Sequence, residues 1–269
     1  MKNDRRLDLF AVRSLLFLPA SNPRLIAKAR ELSADLVVLD LEDAVRSDDK
    51  AEARKAAVEA VAADWEKPVA IRINGVGTQW HSLDLDAAAR SRTDLVVVPR
   101  AISGHLVHGI SEAVSKPVLA MVETAAGVLA APAIAQTCAG LIAGTNDLAA
   151  GLRLPGPERR SAMSMALQSI VCAARIRGIP AWDGVFNYLE DMIGFEAECA
   201  NGHRLGFDGK SLIHPKQIEY CNRAFSPGTE EVERARRLVE AFGGGAERFE
   251  GQMIEAMHVE AARRLLDRA

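Results

Sequence analysis

The sequence predicts an α/β fold, a (β/α)8 TIM barrel followed by a C-terminal helical extension. Three observations carry that expectation. Short apolar runs recur and end in polar groups: Leu36-Val37-Val38-Leu39-Asp40-Leu41-Glu42-Asp43-Ala44, Val69-Ala70-Ile71-Arg72-Ile73-Asn74, Leu119-Ala120-Met121-Val122-Glu123-Thr124 and Leu141-Ile142-Ala143-Gly144-Thr145-Asn146-Asp147. Such a run reads as a strand covered on both faces, as in a parallel sheet under helices. The C-terminal ends of such strands form the rim where a barrel keeps its active site. Strand and helix signals alternate about eight times, which favours a barrel over an open doubly wound sheet. A chain of 269 residues is also near the usual size of one such barrel.

Residues 13–18 form the first strand, closed by Pro19-Ala20-Ser21. Asn22 then caps a helix with Pro23 in its first position, running to about residue 32. The Asp40 strand follows, and Ser47 or Asp48 opens an Ala-, Glu- and Lys-rich helix to residue 63. Pro68 leads into the Arg72 strand, which breaks at Asn74-Gly75. Residues 78–91 are helical by periodicity, and 94–99 form a fourth strand ending at Arg100. A weaker helix, interrupted by Gly104 and Gly109, covers 103–114. After the Glu123 strand an Ala-rich helix spans 125–136, with Pro132 as a kink. Beyond the Asp147 strand, Pro155-Gly156-Pro157 is a loop, and a long helix over 161–177 ends at Gly178. Residues 179–183 are a short seventh strand, 190–201 a helix and 206–210 an eighth strand. The rhythm then changes: helices at 215–225 and 229–242 have no strand between them. Gly243-Gly244-Gly245 is a hinge, 249–255 a turn-like stretch, and a last helix runs to Ala269. The expected division is a catalytic barrel over 1–214 and a helical extension over 215–269 that caps its own mouth or a neighbouring subunit's.

A formal net charge of −3 argues against a nucleic-acid binder, whose footprint is a strongly basic face. Residues 1–10 are charged and lack the apolar segment of a secretory leader. No apolar run is long enough to cross a bilayer. Cys138, Cys172, Cys199 and Cys221 are scattered without metal-ligand spacing and read as reduced thiols in a cytoplasmic protein. No GxGxxG or GxxxxGK[ST] follows a strand, which removes two common nucleotide-binding motifs.

The strand ends carry the candidate chemistry. Glu123 and Asp147, on adjacent strands, suit the all-oxygen sphere of Mg2+ completed by water and substrate. Asp147 in Thr145-Asn146-Asp147 also reads as a helix N-cap, whereas an unpaired Glu123 inside a barrel would be costly. Asp40, Glu42 and Asp43 could orient metal-bound waters, with a salt-bridged rim the equal reading for Glu42. Arg72 lies between apolar neighbours, so its head points inward. It either pairs with the acid ring or grips a substrate carboxylate in a bidentate fork, and the second use is favoured. Arg100 is a weaker second cation. The six histidines show no ligand spacing, and no lysine other than Lys210 lies near a strand end for a Schiff base.

These motifs, in this order, resemble the β-subunit-like branch of the citrate lyase family within the HpcH/HpaI aldolases. The resemblance runs from Arg13-Ser14-Leu15-Leu16-Phe17-Leu18-Pro19 through Leu39-Asp40-Leu41-Glu42-Asp43-Ala44-Val45, Ile71-Arg72-Ile73-Asn74-Gly75 and Val98-Pro99-Arg100. It continues through Val122-Glu123-Thr124-Ala125-Ala126-Gly127, Gly144-Thr145-Asn146-Asp147-Leu148 and Gly206-Phe207-Asp208-Gly209-Lys210-Ser211-Leu212-Ile213-His214-Pro215. It implies a homotrimer, or a multiple of one, with Mg2+ as cofactor and Mn2+ as its substitute. The implied reaction makes or breaks the C–C bond between a short acyl-CoA and a 2-oxo acid, as in malyl-, citramalyl- or citryl-CoA. By the same resemblance Glu123 and Asp147 hold the metal and Arg72 binds the oxo-acid carboxylate. Arg13, Ser14 and the Pro19 loop hold the CoA chain, and Arg24 and Lys28 meet its phosphates. Met253-Ile254-Glu255 stands where relatives carry Met-Ile-Asp, whose acid serves as the acid/base. Here Glu255, or Asp40, would move the hydroxyl proton. Ala20 replaces a usual glycine and Arg100 a common lysine. The alternatives are a metal-dependent aldolase for free hydroxy-oxo acids and an acyl-CoA-binding barrel without turnover.

Overall fold

Eight parallel strands close on themselves in chain order: β1 (Ser14–Pro19), β2 (Leu36–Asp40), β3 (Val69–Arg72), β4 (Leu95–Val98), β5 (Val118–Val122), β6 (Gly140–Ala143), β7 (Ala181–Asp183) and β8 (Gly209–Leu212), with β8 pairing back to β1. The expected TIM barrel is therefore the observed fold. The computed structural model describes residues 7–156 and 159–268. Residues 1–6 of the charged amino terminus, Pro157 of the Pro-Gly-Pro loop and Ala269 lie outside the described residues.

The pleat explains the continuous apolar runs. Leu15, Phe17, Leu36, Val38, Ala70, Leu95, Val97, Leu119, Met121, Ile142 and Trp182 pack into one interior core. The alternate residues Leu16, Val37, Leu39, Ile71 and Val96 are buried as well, under the helical layer. Trp182 anchors the base by donating its indole N–H to Val12 O at 2.7 Å.

The wall helices are α1 (Pro23–Ala29), α2 (Lys50–Ala62), α3 (His81–Arg90), α4 (Gly104–Val114), α5 (Ala125–Ala135), α6 (Thr145–Gly151), α7 (Arg159–Ala162), α8 (Ser164–Arg177), α9 (Met192–Leu205) and α10 (Ile218–Ala224). Asn22 caps α1 as the sequence predicts, Ser103 and Thr124 cap α4 and α5, and Gly178 ends α8 in the left-handed conformation. Three expectations shift. The 161–177 helix is two helices, α7 and α8. The eighth strand begins at Gly209 because Gly206, at φ 95°, terminates α9. The strand toward Asp147 stops at Ala143, and Asp147 belongs to α6.

The compact units divide between Ala224 and Phe225, ten residues beyond the expected 214/215 boundary. The reason is α10, which packs on β1 and β8 and buries Ile218 and Cys221. Cys221 Sγ donates to Arg13 O at 3.3 Å. The second unit comprises α11 (Thr229–Ala241), the antiparallel pair β9 (Glu247–Phe249) and β10 (Gln252–Ile254), and α12 (Ala256–Leu266). The stretch expected to be turn-like is thus a hairpin, tightened by Glu250 and Gly251 at positive φ. Ala235, Leu238, Ile254, Val259 and Ala262 form this unit's own core. Among the described residues no helix is long and apolar enough to cross a membrane.

Candidate active site

Register brings the first acid and the first cation level. Pro19 pairs with Asp40, and Asp40 pairs with Arg72, so all three reach the C-terminal rim together. Arg72 donates from Nε to Asp40 Oδ1 at 2.6 Å and from Nη2 to Asp40 Oδ2 at 2.5 Å. The same carboxylate accepts the backbone N–H groups of Glu42 (2.8 Å) and Ala44 (3.1 Å), which turns the chain sharply after the strand. Both Asp40 oxygens are therefore engaged.

Of the two uses foreseen for Arg72, the pairing with the acid ring is realised, and its fork is taken by Asp40. The Nη1 edge remains, 3.0 Å from Glu42 Oε2, 3.8 Å from Asp43 Oδ2 and 3.7 Å from Met121 Sδ. The guanidinium lies 5.4 Å from the centre of the Phe17 ring. Burial opposes its charge, but Asp40, Glu42 and Asp43 outweigh that and raise its pKa. Burial pushes the Glu42 carboxyl up to about 8 despite Arg72, with Asp43, Glu123 and Asp40 adding repulsion. Glu42 Oε2 accepts no hydrogen bond.

A buried layer beneath fixes this loop, and sequence reading missed it. Lys50, the first residue of α2, donates to Leu41 O, Glu42 O and Asn74 Oδ1, each at 2.7 Å. Asn74 Nδ2 donates to Leu41 O (2.9 Å) and Asp84 Oδ2 (2.5 Å), while Arg54 Nε donates to Asp84 Oδ1 at 2.6 Å. His81 Nδ1 lies 2.9 Å from Asn74 O. Burial lowers the Lys50 pKa. The sequence signal for it is the amide of Asn74, a polar strand end and breaker that names none of its partners.

Glu123 follows β5 and is 4 % exposed. Its Oε1 accepts the Arg100 backbone N–H at 2.6 Å, and Arg100 sits at φ 48°, a strained backbone at the rim. Gly144 faces it from the end of β6. A Cβ there would lie 2.3 Å from Glu123 Cβ and 2.5 Å from Oε2, so only glycine fits. Burial raises the Glu123 pKa to about 7; the Arg100 N–H and Arg72 oppose this, while Asp147 and Asp43 add to it. Asp147 sits in the first turn of α6, half-buried, with Arg100 Nη1 3.9 Å from its Oδ2. The N-cap position belongs to Gly144, not to Asp147.

Pro19, Asp40, Asp43, Arg72, Glu123 and Asp147 line one cavity of about 370 Å3, together with the apolar Phe17, Met121, Val185 and Ile213 and the polar Thr145, Asn146 and Ser211. Asn146 and Asn187 exchange amide hydrogen bonds at 2.7 and 3.3 Å, joining the loops after β6 and β7. Asn187, Val185 and Ser211 carried no sequence signal of their own.

Arg13 and Ser14 lie at the other end of the barrel. Arg13 precedes β1 and forks onto Asp35, from Nε to Oδ2 and from Nη2 to Oδ1, both at 2.9 Å. Ser14 Oγ accepts the Asp35 N–H at 3.0 Å. A strand of this length puts them roughly 15–20 Å from Pro19, so the expected CoA role for the pair is corrected to pinning the strand starts. Arg24 and Lys28 are exposed, one helical turn apart on α1. Glu255 is exposed in the second unit at the head of α12, its N–H on His258 Nδ1 at 2.9 Å. Lys210 is fully buried and faces outward, donating to Asp183 Oδ2 (2.9 Å) and Glu198 Oε1 (2.7 Å), which removes it as a Schiff-base candidate.

Glu123 and Asp147 offer two oxygen donors, and among the described residues no three His, Cys, Asp or Glu side chains converge as a closed metal cage. A donor set of two carboxylates fits a hard cation that keeps waters, such as Mg2+, better than a closed zinc site.

A parallel barrel that gathers acids and a buried guanidinium at its C-terminal rim is built as an enzyme of the barrel class. Residues 13–215 match the HpcH/HpaI aldolase/citrate lyase family, and the chain belongs to it. It is 38% identical over 268 residues to a (3S)-malyl-CoA thioesterase of Cereibacter sphaeroides, covering 96% of this chain and 94% of that one. It is 33% identical to the citrate lyase subunit beta of Haemophilus influenzae, covering 96% of each. The crystal structure of CitE from Mycobacterium tuberculosis with magnesium, acetoacetate and coenzyme A superposes with a TM-score of 0.86 at 34% identity, covering 97% and 99%.

Proposed function

We propose that the protein is a Mg2+-dependent carbon–carbon lyase for a 3-hydroxyacyl-CoA of the malyl, citramalyl or citryl type, releasing a short acyl-CoA and a 2-oxo acid. The observation that carries this reading is the single cavity uniting Glu123 and Asp147 with the Nη1 edge of Arg72. Glu123 and Asp147 would hold Mg2+, with Mn2+ as a substitute. When bound, the ion supplies a Lewis acid and a template for the oxygens of the acid half.

The chain's own groups do the rest. Asp40 fixes the Arg72 plane, so Nη1 meets the substrate carboxylate already oriented and offsets its charge. Glu42 and Asp43 orient water at the acid end of the cavity. Phe17, Met121, Val185 and Ile213 exclude solvent from the scissile bond. The hydroxyl proton leaves to a carboxylate base, assigned to Glu255 in a trimer or a multiple of one. The C2–C3 bond breaks, its electron pair passes to the thioester enolate, and that carbon takes up a proton to give the acyl-CoA. The rim loop at Pro19, with Arg24 and Lys28 on α1, is the proposed path of the CoA moiety. The four free cysteines suit a reducing, cytoplasmic setting.

A second reading is hydrolysis of the same thioester, favoured by 38–39% identity to (3S)-malyl-CoA thioesterases against 31–33% to citrate lyase subunits. One assay separates them: (3S)-malyl-CoA with Mg2+ or EDTA, reading 2-oxo acid and free thiol independently, beside Glu123→Gln. Mg2+-dependent 2-oxo acid without thiol, falling about a thousandfold in Glu123→Gln, is expected for the lyase. Thiol without 2-oxo acid establishes the hydrolase. Neither product, on this ester or its citramalyl and citryl counterparts, overturns both.

A further inference from the structure

We propose that Ser211 binds the acid half of the substrate through its hydroxyl, an inference that rests on the thioester reading above. The pleat of β8 sends Lys210 outward onto Asp183 and Glu198 and turns Ser211 inward, where it lines the mouth cavity together with Arg72 and Glu123. Ser211 is 1 % exposed, and its Oγ has no hydrogen-bond partner. A buried hydroxyl without a partner is destabilising, and native chains retain few of them. Phe17, Val185 and Ile213, which line the same cavity, carry apolar side chains that offer no acceptor.

The ligand that satisfies Ser211 must therefore present an oxygen to this side of the cavity. A carboxylate or carbonyl oxygen of a 2-oxo acid has that chemistry, and a neutral donor there complements the charged donor of Arg72, three strands away around the barrel. The position is held from behind. Lys210 is locked by two ion pairs, and Ser211 is in register with Leu15 on β1. Ser211 is in this account a binding residue that sets affinity for the acid, and metal binding does not depend on it.

The test is calorimetric titration of glyoxylate, pyruvate and oxaloacetate into the Mg2+-loaded full chain, for wild type, Ser211→Ala and Ser211→Thr. For the acid that wild type binds most tightly, Ser211→Ala is expected to weaken binding about tenfold and Ser211→Thr by no more than about threefold. The Mg2+ affinity is expected to stay unchanged, and the ligand-free Tm of Ser211→Ala to hold or rise, because an unsatisfied group has been removed. Binding by Ser211→Ala within about twofold of wild type overturns the inference alone. So does a fall in its Tm without a change in affinity, the mark of a structural serine. If wild type binds none of the acids, the functional reading fails, and this inference with it.

Discussion

Two clusters of buried charge in this barrel follow opposite rules. On the outer face of β7 and β8, Asp183 and Glu198 meet Lys210 and Arg160 at 2.7 to 3.6 Å, two anions against two cations, with Asp183 and Lys210 fully buried. Burial would raise the Asp183 pKa, but Lys210 and Arg160 more than reverse that and hold the carboxyl down. At the mouth, five carboxylates, Asp40, Glu42, Asp43, Glu123 and Asp147, share Arg72 and Arg100. There burial, which the shared cations do not offset and the neighbouring carboxylates reinforce, pushes Glu42 up to about 8 and Glu123 up to about 7. The first cluster is complete without a ligand and holds the fold. The second lacks positive charge, and that deficit is what a divalent cation supplies.

The contrast can be broken from either side. The largest expected effect is on stability. Asp183→Asn leaves Lys210 and Arg160 with Glu198 alone of their two carboxylates and should cost about 3–5 kcal/mol, read as a lowered midpoint in urea. Glu123→Gln, equally a carboxyl-to-amide change at a buried site, should not destabilise the metal-free protein near pH 8. Gly144→Ala comes next. It drives Cβ into Glu123 and is expected to weaken Mg2+ binding about tenfold while the protein stays folded, checked by calorimetry beside circular dichroism.

The smallest effect concerns pH. Because the folded-state pKa values of Glu42 and Glu123 lie above the 4.5 of a free glutamate, the native state keeps protons the unfolded chain has lost. Their contribution to stability is full below that value and is lost as pH rises through about 7 to 8. Metal-free protein should therefore melt a few degrees lower near pH 8.5 than near pH 6. Glu42→Gln should shrink that difference, and an unchanged difference would count against the raised pKa.

Much of the mouth was legible because strand periodicity fixes which residues reach the rim. Asp40, Arg72 and Glu123 each end an unbroken apolar run, and barrel topology sends all such ends one way. The same rule separates Arg13 and Ser14 from Pro19, since they begin the strand that Pro19 ends; motif resemblance alone runs together the two ends of β1. The Lys50–Asn74–Asp84 layer was not legible, because it joins residues from a helix start, a strand end and a second helix with no local pattern. Asp147 read as a strand end or a cap and is neither, since β6 stops early and Gly144 takes the cap position. Ser211 looked like any strand serine. Only its burial and its missing partner set it apart.

We propose that the acid excess at the mouth is a Mg2+ site. Titrating Mg2+ into the metal-free chain near pH 8, for wild type and Glu123→Gln, tests it most directly. The expected result is one site per chain in wild type and loss of measurable binding in Glu123→Gln at unchanged fold. Equal affinity in the two proteins, or no heat of binding in wild type, would contradict it.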